Sequence, residues 1–231
     1  MLLVSWNLTE MACNSQRRDR SAEFIVTNIA LGVFGVVVVS ARLIFKQGFS
    51  VTGRLGPDDW VIIAIILIGL PCIAINIFGL TAHGLGRDVW TLRPTEVSRF
   101  AFYFYVMEIL YLTLVSLIKL SLSLFYLSIF PGRFVRRLLL GTIAFHVLFA
   151  VVIVFITIFQ CSPTNYYWTK YSEDAYAGRC INANASGWTH ASVNVAGDIW
   201  MIAIPLNQVR KLRLHWKKKI GAIIMFMTGI L

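Results

Sequence analysis

Three charged side chains stand well inside otherwise apolar runs of this 231-residue chain: Glu108, Lys119 and Asp198. A charge in hydrocarbon is costly unless it is paired or hydrated, so each is a candidate either for an ion pair that fixes helix packing or for a ligand or switch group. His190, Asn194 and Asp198 recur at i, i+4 and i+8 and form one polar stripe on a helix. Such a stripe lines a ligand cavity or hydrogen-bonds to neighbouring helices. Cys161 and Cys180 bracket a single inter-span segment. In an oxidising compartment they are expected to form a disulfide, and elsewhere they stay as two free thiols. Cys13 and Cys72 have no evident partners. No comparable constellation supports catalysis. His83, His146, His190 and His215 lack metal-ligand spacing with Cys or carboxylates, and there is no Ser-His-Asp arrangement, P-loop or dinucleotide fingerprint. The expectation is a non-enzyme with no cofactor and no metal.

The elements that must position these groups are membrane helices. Of the residues, 58% are hydrophobic and 14% charged, and the mean hydropathy is +0.72. A soluble domain of this length carries about 25% charged residues. The apolar residues fall in blocks of about 20, enough to cross about 30 Å of hydrocarbon. The net charge of +10 does not imply nucleic acid, because much of the basic excess sits in short segments between apolar blocks. The blocks predict spans at about 23–45, 59–80 (interrupted by Pro71), 100–130 (stopped by Pro131-Gly132), 138–159 and 186–206. A sixth begins at Ile220 with 12 residues remaining, short of a full crossing. The expected fold is therefore an all-α polytopic transmembrane bundle of five complete spans and a partial sixth. Residues 1–22 form an uncleaved extracytoplasmic tail, and residues 23–231 form a transmembrane domain incomplete at its C-terminal end. No internal repeat is evident. Asp58-Asp59 reads as an N-cap of the second span, and Gly84 and Gly86 as turn residues after it.

With the N-terminus outside, the inner segments carry 11 basic residues in about 33 positions and the outer ones 8 in about 65. The Arg17, Arg18 and Arg20 cluster before the first span opposes this orientation. Two sequons, at Asn7 and Asn184, agree with it and are the glycosylation candidates. Trp90, Phe100, Phe102, Tyr103, Tyr105 and Trp188 read as an interfacial belt. Tyr166-Tyr167-Trp168, between the two cysteines, either joins that belt or roofs a ligand pocket. Arg210 to Lys219 form a basic inner patch suited to anionic lipid.

Several motifs lie in order along these segments. Arg54-Leu55-Gly56-Pro57-Asp58-Asp59-Trp60 opens the second span, and His83-Gly84-Leu85-Gly86-Arg87 follows it. Glu108-Ile109-Leu110-Tyr111, Ile118-Lys119-Leu120-Ser121 and Leu124-Phe125-Tyr126-Leu127 lie along the third. Phe159-Gln160-Cys161-Ser162-Pro163, Gly178-Arg179-Cys180-Ile181-Asn182, and Asn194 with Asp198 complete the series. From Phe24 to Leu231 the chain resembles the fungal rhodopsin-domain family of integral membrane proteins. That family includes receptor-like members linked to plant infection and members encoded beside mycotoxin biosynthesis genes. The resemblance implies seven helices with the N-terminus outside, whereas this chain stops inside the sixth. It does not imply retinal: animal-type rhodopsins hold their Schiff-base lysine on the seventh helix, and Lys119 is on the third.

A receptor-like sensor, with a small-molecule ligand and a cytosolic transducer as partners besides the lipid bilayer, is the leading expectation. A transporter or a membrane component of a secondary-metabolite pathway is the alternative, and an inactive truncated product is the third. No Asp-Arg-Tyr triplet follows the third helix, which weakens the analogy to G-protein-coupled receptors. Lys119 lies 12 residues before Pro131 and Asp198 lies 12 before Arg210, so the two are at similar depth and are expected to form a buried ion pair. The competing expectation is that Lys119 snorkels inward and Asp198 is hydrogen-bonded or protonated.

Overall fold

The computed structural model describes residues 19–49, 57–130, 132–171 and 177–211. The chain divides into two compact units, Met1–Ile181 and Asn182–Leu231. In the first unit, α1 (Ser21–Phe49) and α2 (Pro57–Ala74) are followed by a π-helical continuation, Ile75–Thr81, and a single 3-10 turn, Val89–Thr91. Next come α3 (Pro94–Ile129), α4 (Arg133–Ile158), the short strand β1 (Cys161–Ser162), α5 (Tyr166–Thr169) and β2 (Arg179–Cys180). The second unit contains α6 (Ala183–Lys211).

Among the described residues, four helices are long and apolar enough to cross a membrane, over Ser21–Ser40, Asp59–Thr81, Pro94–Ser128 and Arg133–Ile158. The protein is thus an all-α membrane bundle that sits in a lipid bilayer. The fifth expected span is helical, as α6, but Thr189, His190, Ser192, Asn194 and Asp198 make it less apolar than the other four. The expected sixth span, Asn7, Cys13 and the run Lys217-Lys218-Lys219 lie outside the described residues.

Helix α3 is the centre of the first unit and packs along both α2 and α4. The side of α4 that packs there is legible from its periodicity. Val135, Leu139, Thr142, His146, Ile153 and Thr157 are buried, with gaps of three, four or seven residues that keep one helix face. Its other side exposes Phe145, Leu148, Val151, Phe155 and Phe159, and α1 exposes Val26, Leu31, Val33, Phe34 and Val37. Continuous apolar exposure of this kind is stable only against hydrocarbon. Hydroxyls within the spans turn back to their own helix: Thr113 donates to the Ile109 carbonyl at 2.8 Å, Ser116 to Leu112 at 2.8 Å and Ser123 to Lys119 at 2.8 Å. No polar hydrogen is then left facing lipid at those positions.

Helix starts differ from the sequence expectation for local reasons. Helix α2 begins at Pro57, so Asp58-Asp59 fall within its first turn and not at the cap position; the fixed φ and missing N–H of proline suit a first helical position. Asp59 is buried within the first turn, where a carboxylate still complements the helix dipole. Helix α3 begins at Pro94, six residues before the expected 100, for the same reason; Glu96 then accepts the Arg93 amide at 3.1 Å. The cap of α6 is Asn182, whose Oδ1 accepts the amides of Asn184 and Ala185 at 3.1 and 3.3 Å.

Candidate functional site

One end of the first unit collects the polar and aromatic residues that the spans cannot hold. The end of α2 is shaped by Pro71, which removes a backbone donor inside the helix, and by the π-helical turn that follows. Thr81 there donates its hydroxyl to the Asn76 carbonyl, five residues back, at 2.8 Å. Gly79 faces the Tyr103 ring so closely that a Cβ would lie 2.7 Å from it. The His83 Nδ1 lies 2.7 Å from the Gly79 carbonyl oxygen. Because a carbonyl only accepts, Nδ1 carries the hydrogen, and Nε2 is the nitrogen left for other partners. The His83 ring sits 5.2 Å from that of Tyr103, centroid to centroid.

The chain entering α1 is stitched to the turn after His83. The Arg20 amide donates to the Gly86 carbonyl at 3.0 Å, and the Asp19 carboxylate lies 3.4 Å from the Arg87 guanidinium. Asp19 also accepts the Ser21 amide at 3.0 Å and its hydroxyl at 2.5 Å. The Ser21 bonds, with the Arg87 charge beside them, hold the Asp19 carboxyl below the ordinary carboxylate range. Gly86 has φ +86°, and a Cβ there would lie 2.9 Å from the Ser21 backbone nitrogen, so this crossing requires glycine.

The segment between α4 and α6 closes over the same end. Cys161 and Cys180 are disulfide-bonded and are paired across an antiparallel two-residue ladder. The Ile181 amide adds a bond to the Gln160 carbonyl at 2.8 Å. Within the closed loop, α5 rests on the first turns of α3. Ser98 donates to the Trp168 carbonyl at 2.8 Å, and Trp168 meets Phe102 edge-on at 5.2 Å. Tyr105 lies 5.3 Å from the Tyr167 ring and donates its hydroxyl to the Ile158 carbonyl at 2.9 Å. A Cβ at Gly178 would collide with the Tyr166 ring, so the returning strand can pass only as glycine. Below the loop, Gln160 donates to Glu108 at 3.2 Å. Burial, and then the Glu108 charge, push the Tyr167 phenol well above its usual value, so it stays neutral at working pH.

Between these parts lies a cleft of about 310 Å³ lined by His83, Ser98, Arg99, Phe102, Tyr103 and Trp168. It combines one guanidinium, one imidazole and three aromatic rings, an aromatic wall with a few polar groups. Among the described residues no cluster of His, Cys, Asp or Glu could hold a metal ion.

The residues expected to carry function from sequence alone are distributed differently. Glu108 joins this end through Gln160. Lys119 is buried further along α3, with 7% of its surface exposed. In α6, His190 Nε2 and Asn194 Nδ2 lie 3.1 Å apart, so two members of the stripe bond to each other, while Asp198 is exposed one turn further on. Asn184 is exposed in the first turn of α6. Ser98, Arg99 and Gln160 are not among the sequence candidates. The first two lie before the expected start of the third span, and Pro94 with Glu96 is the available signal that the helix includes them.

A family model described as the fungal rhodopsin domain matches residues 41–231. The chain is 30% identical over 151 residues to a SAT4 family membrane protein of Emericella nidulans, covering 64% of this chain and 38% of that one. It is 22% identical over 197 residues to the polyenoic acids biosynthesis gene cluster protein Ba17b of Metarhizium anisopliae, covering 84% and 53%. It is 20% identical over 205 residues to Receptor GIN3 of Arthrobotrys oligospora, covering 89% and 46%. The chain therefore spans between 38% and 53% of the length of these relatives. No solved structure matches it.

Proposed function

The chain belongs to the fungal rhodopsin domain family, and from that premise we propose that it is a receptor-like sensor that takes a small-molecule ligand at the braced end of the bundle. The observation that carries this reading is the disulfide-closed loop, which sets Trp168 over a cleft on α3 rather than leaving it in solvent. A loop fixed at both ends and seated on the central helix is a preorganised cover, and ligand contacts made there bear directly on α3. Receptor GIN3 among the relatives supports the same reading. The role proposed is binding, not catalysis.

The proposed topology has the N-terminus outside, with α6 as a fifth crossing and a sixth starting beyond it. At 29 residues α6 is about 43 Å long, more than the hydrocarbon thickness. A disulfide favours the extracytoplasmic side for the end that carries it. The bonds of Asp19 and Arg20 to Gly86 and Arg87 hold the start of α1 beside the His83 turn at that same end. A second reading, a membrane component of a secondary-metabolite pathway, is favoured by the relative named for a polyenoic acid gene cluster.

Two assays on the full chain separate the readings. In proteoliposomes, uptake of labelled organic acids is compared with empty vesicles. In fungal cells, a proximity-labelling enzyme inserted in the inner segment between the first and second spans reports cytosolic neighbours with and without the same acids. A ligand-dependent change in neighbours without uptake is expected; uptake above background with unchanged neighbours would overturn the sensor reading.

A further inference from the structure

We propose that the cleft lined by His83, Ser98, Arg99, Phe102, Tyr103 and Trp168 is a site for a small organic carboxylate with a flat, unsaturated body. The inference names the ligand class of the site on which the sensor reading rests. Charge comes first. Arg99 is the cation of the cleft, no carboxylate lines it, and among the described residues Arg99 has no salt-bridge partner. The nearest acid along the helix, Glu96, is committed to the Arg93 amide at 3.1 Å. A guanidinium presents two parallel N–H donors that match a carboxylate better than any neutral group. His83 plays a different part: its Nδ1–H is held by the Gly79 carbonyl at 2.7 Å, so Nε2 is an acceptor, suited to a hydroxyl or N–H on the ligand body and not to the carboxylate.

The rest of the lining sets the shape of the body. Phe102, Tyr103 and Trp168 form a connected aromatic wall, with Phe102 5.8 Å from Tyr103 and 5.2 Å from Trp168, both edge-on. Such a wall offers a ring face and ring edges to a planar ligand, the offset and edge-on geometries that aromatic groups prefer. The wall is held in place from behind. The Trp168 carbonyl is tied to Ser98 at 2.8 Å, and Gly79 gives Tyr103 the space it occupies. Ser98 has spent its hydroxyl hydrogen on that bond, so it orients Trp168 and does not compete for the carboxylate. The cleft volume of about 310 Å³ lies at the small end of ligand sites and suits a bicyclic acid.

The test uses the purified 231-residue protein in nanodiscs of zwitterionic lipid, with tritiated 2-naphthoate as the probe. Saturable binding is expected. It should be competed at least tenfold better by unlabelled 2-naphthoate than by the neutral 2-naphthalenemethanol or the non-planar cyclohexanecarboxylate. Arg99→Gln should weaken binding at least tenfold and Trp168→Leu several-fold, while Lys170→Gln, outside the cleft, should change nothing. Arg99 is exposed, so its variant is expected to fold, and an intact Cys161–Cys180 link in each preparation checks this. The proposal is overturned by absent saturable binding, by equal binding in Arg99→Gln, or by equal competition from the alcohol. Naphthoate binding without any change in cytosolic neighbours would sink the sensor reading and leave the site standing. A ligand-driven change in neighbours without naphthoate binding would do the reverse.

Discussion

Gly86 carries more of the architecture than its size suggests, because it is where the chain entering α1 crosses the turn after α2. With φ at +86° and the Ser21 nitrogen 2.9 Å from a would-be Cβ, Gly86→Ala forces both an unfavourable backbone conformation and a clash with atoms that cannot rotate away. The expected cost is about 1–3 kcal/mol, read as a lowered Tm in detergent. Gly35→Ala, which meets open space, should be neutral or slightly stabilising. Asp19 makes the same junction sensitive to acid. Its folded pKa is depressed below 3.8 by Ser21 and Arg87, so its contribution is present above that value and is lost as pH falls through the folded pKa. Hydrogen exchange at the Arg20 amide, corrected for intrinsic rates, should accelerate below about pH 4 and should already be fast at neutral pH in Asp19→Asn. Lys119 and Asp198 remain the sharpest expectation from sequence alone. If they act together, Lys119→Ala and Asp198→Ala should each lower folded yield, and the double variant should recover part of it; additive losses would show independence.

The loop between α4 and α6 is the element on which the functional reading turns. Closing it by the Cys161–Cys180 bond, 19 positions apart, restricts the unfolded chain by up to about 3 kcal/mol in the loop-entropy account. Peptide mapping without reduction should recover the two cysteines as one linked pair. Replacing both by Ser should lower Tm and raise exchange across α5 more than in α4. Only part of this element is legible in the sequence. The cysteines and Tyr166-Tyr167-Trp168 stand out by composition. Their seat on α3 depends on Ser98 and Phe102, and the first long apolar run places the start of that helix too late to include Ser98. Hydropathy locates where lipid begins, whereas Pro94 and Glu96 locate where the helix begins, and here the two differ by six residues. The bond of Gln160 to Glu108 is illegible for another reason: it joins residues 52 positions apart, and no local pattern carries that pairing. The apolar face of α4 is readable, since burial there follows helical spacing.

At the scale of the molecule, the first unit is an apolar helix bundle that gathers polar and aromatic side chains at one end, around the His83 turn, the first turns of α3 and the disulfide-closed loop. The proposal that this end receives a ligand requires it to face outward, where ligands arrive and disulfides persist. One measurement tests that most directly. Lys170→Cys places a thiol on the exposed part of the loop, in a Cys13→Ser background, with Cys72 buried. Intact cells are treated with a membrane-impermeant maleimide, and labelling is compared with that after permeabilisation. The account predicts full labelling of the introduced thiol in intact cells. A thiol protected in intact cells and labelled only after permeabilisation would contradict it.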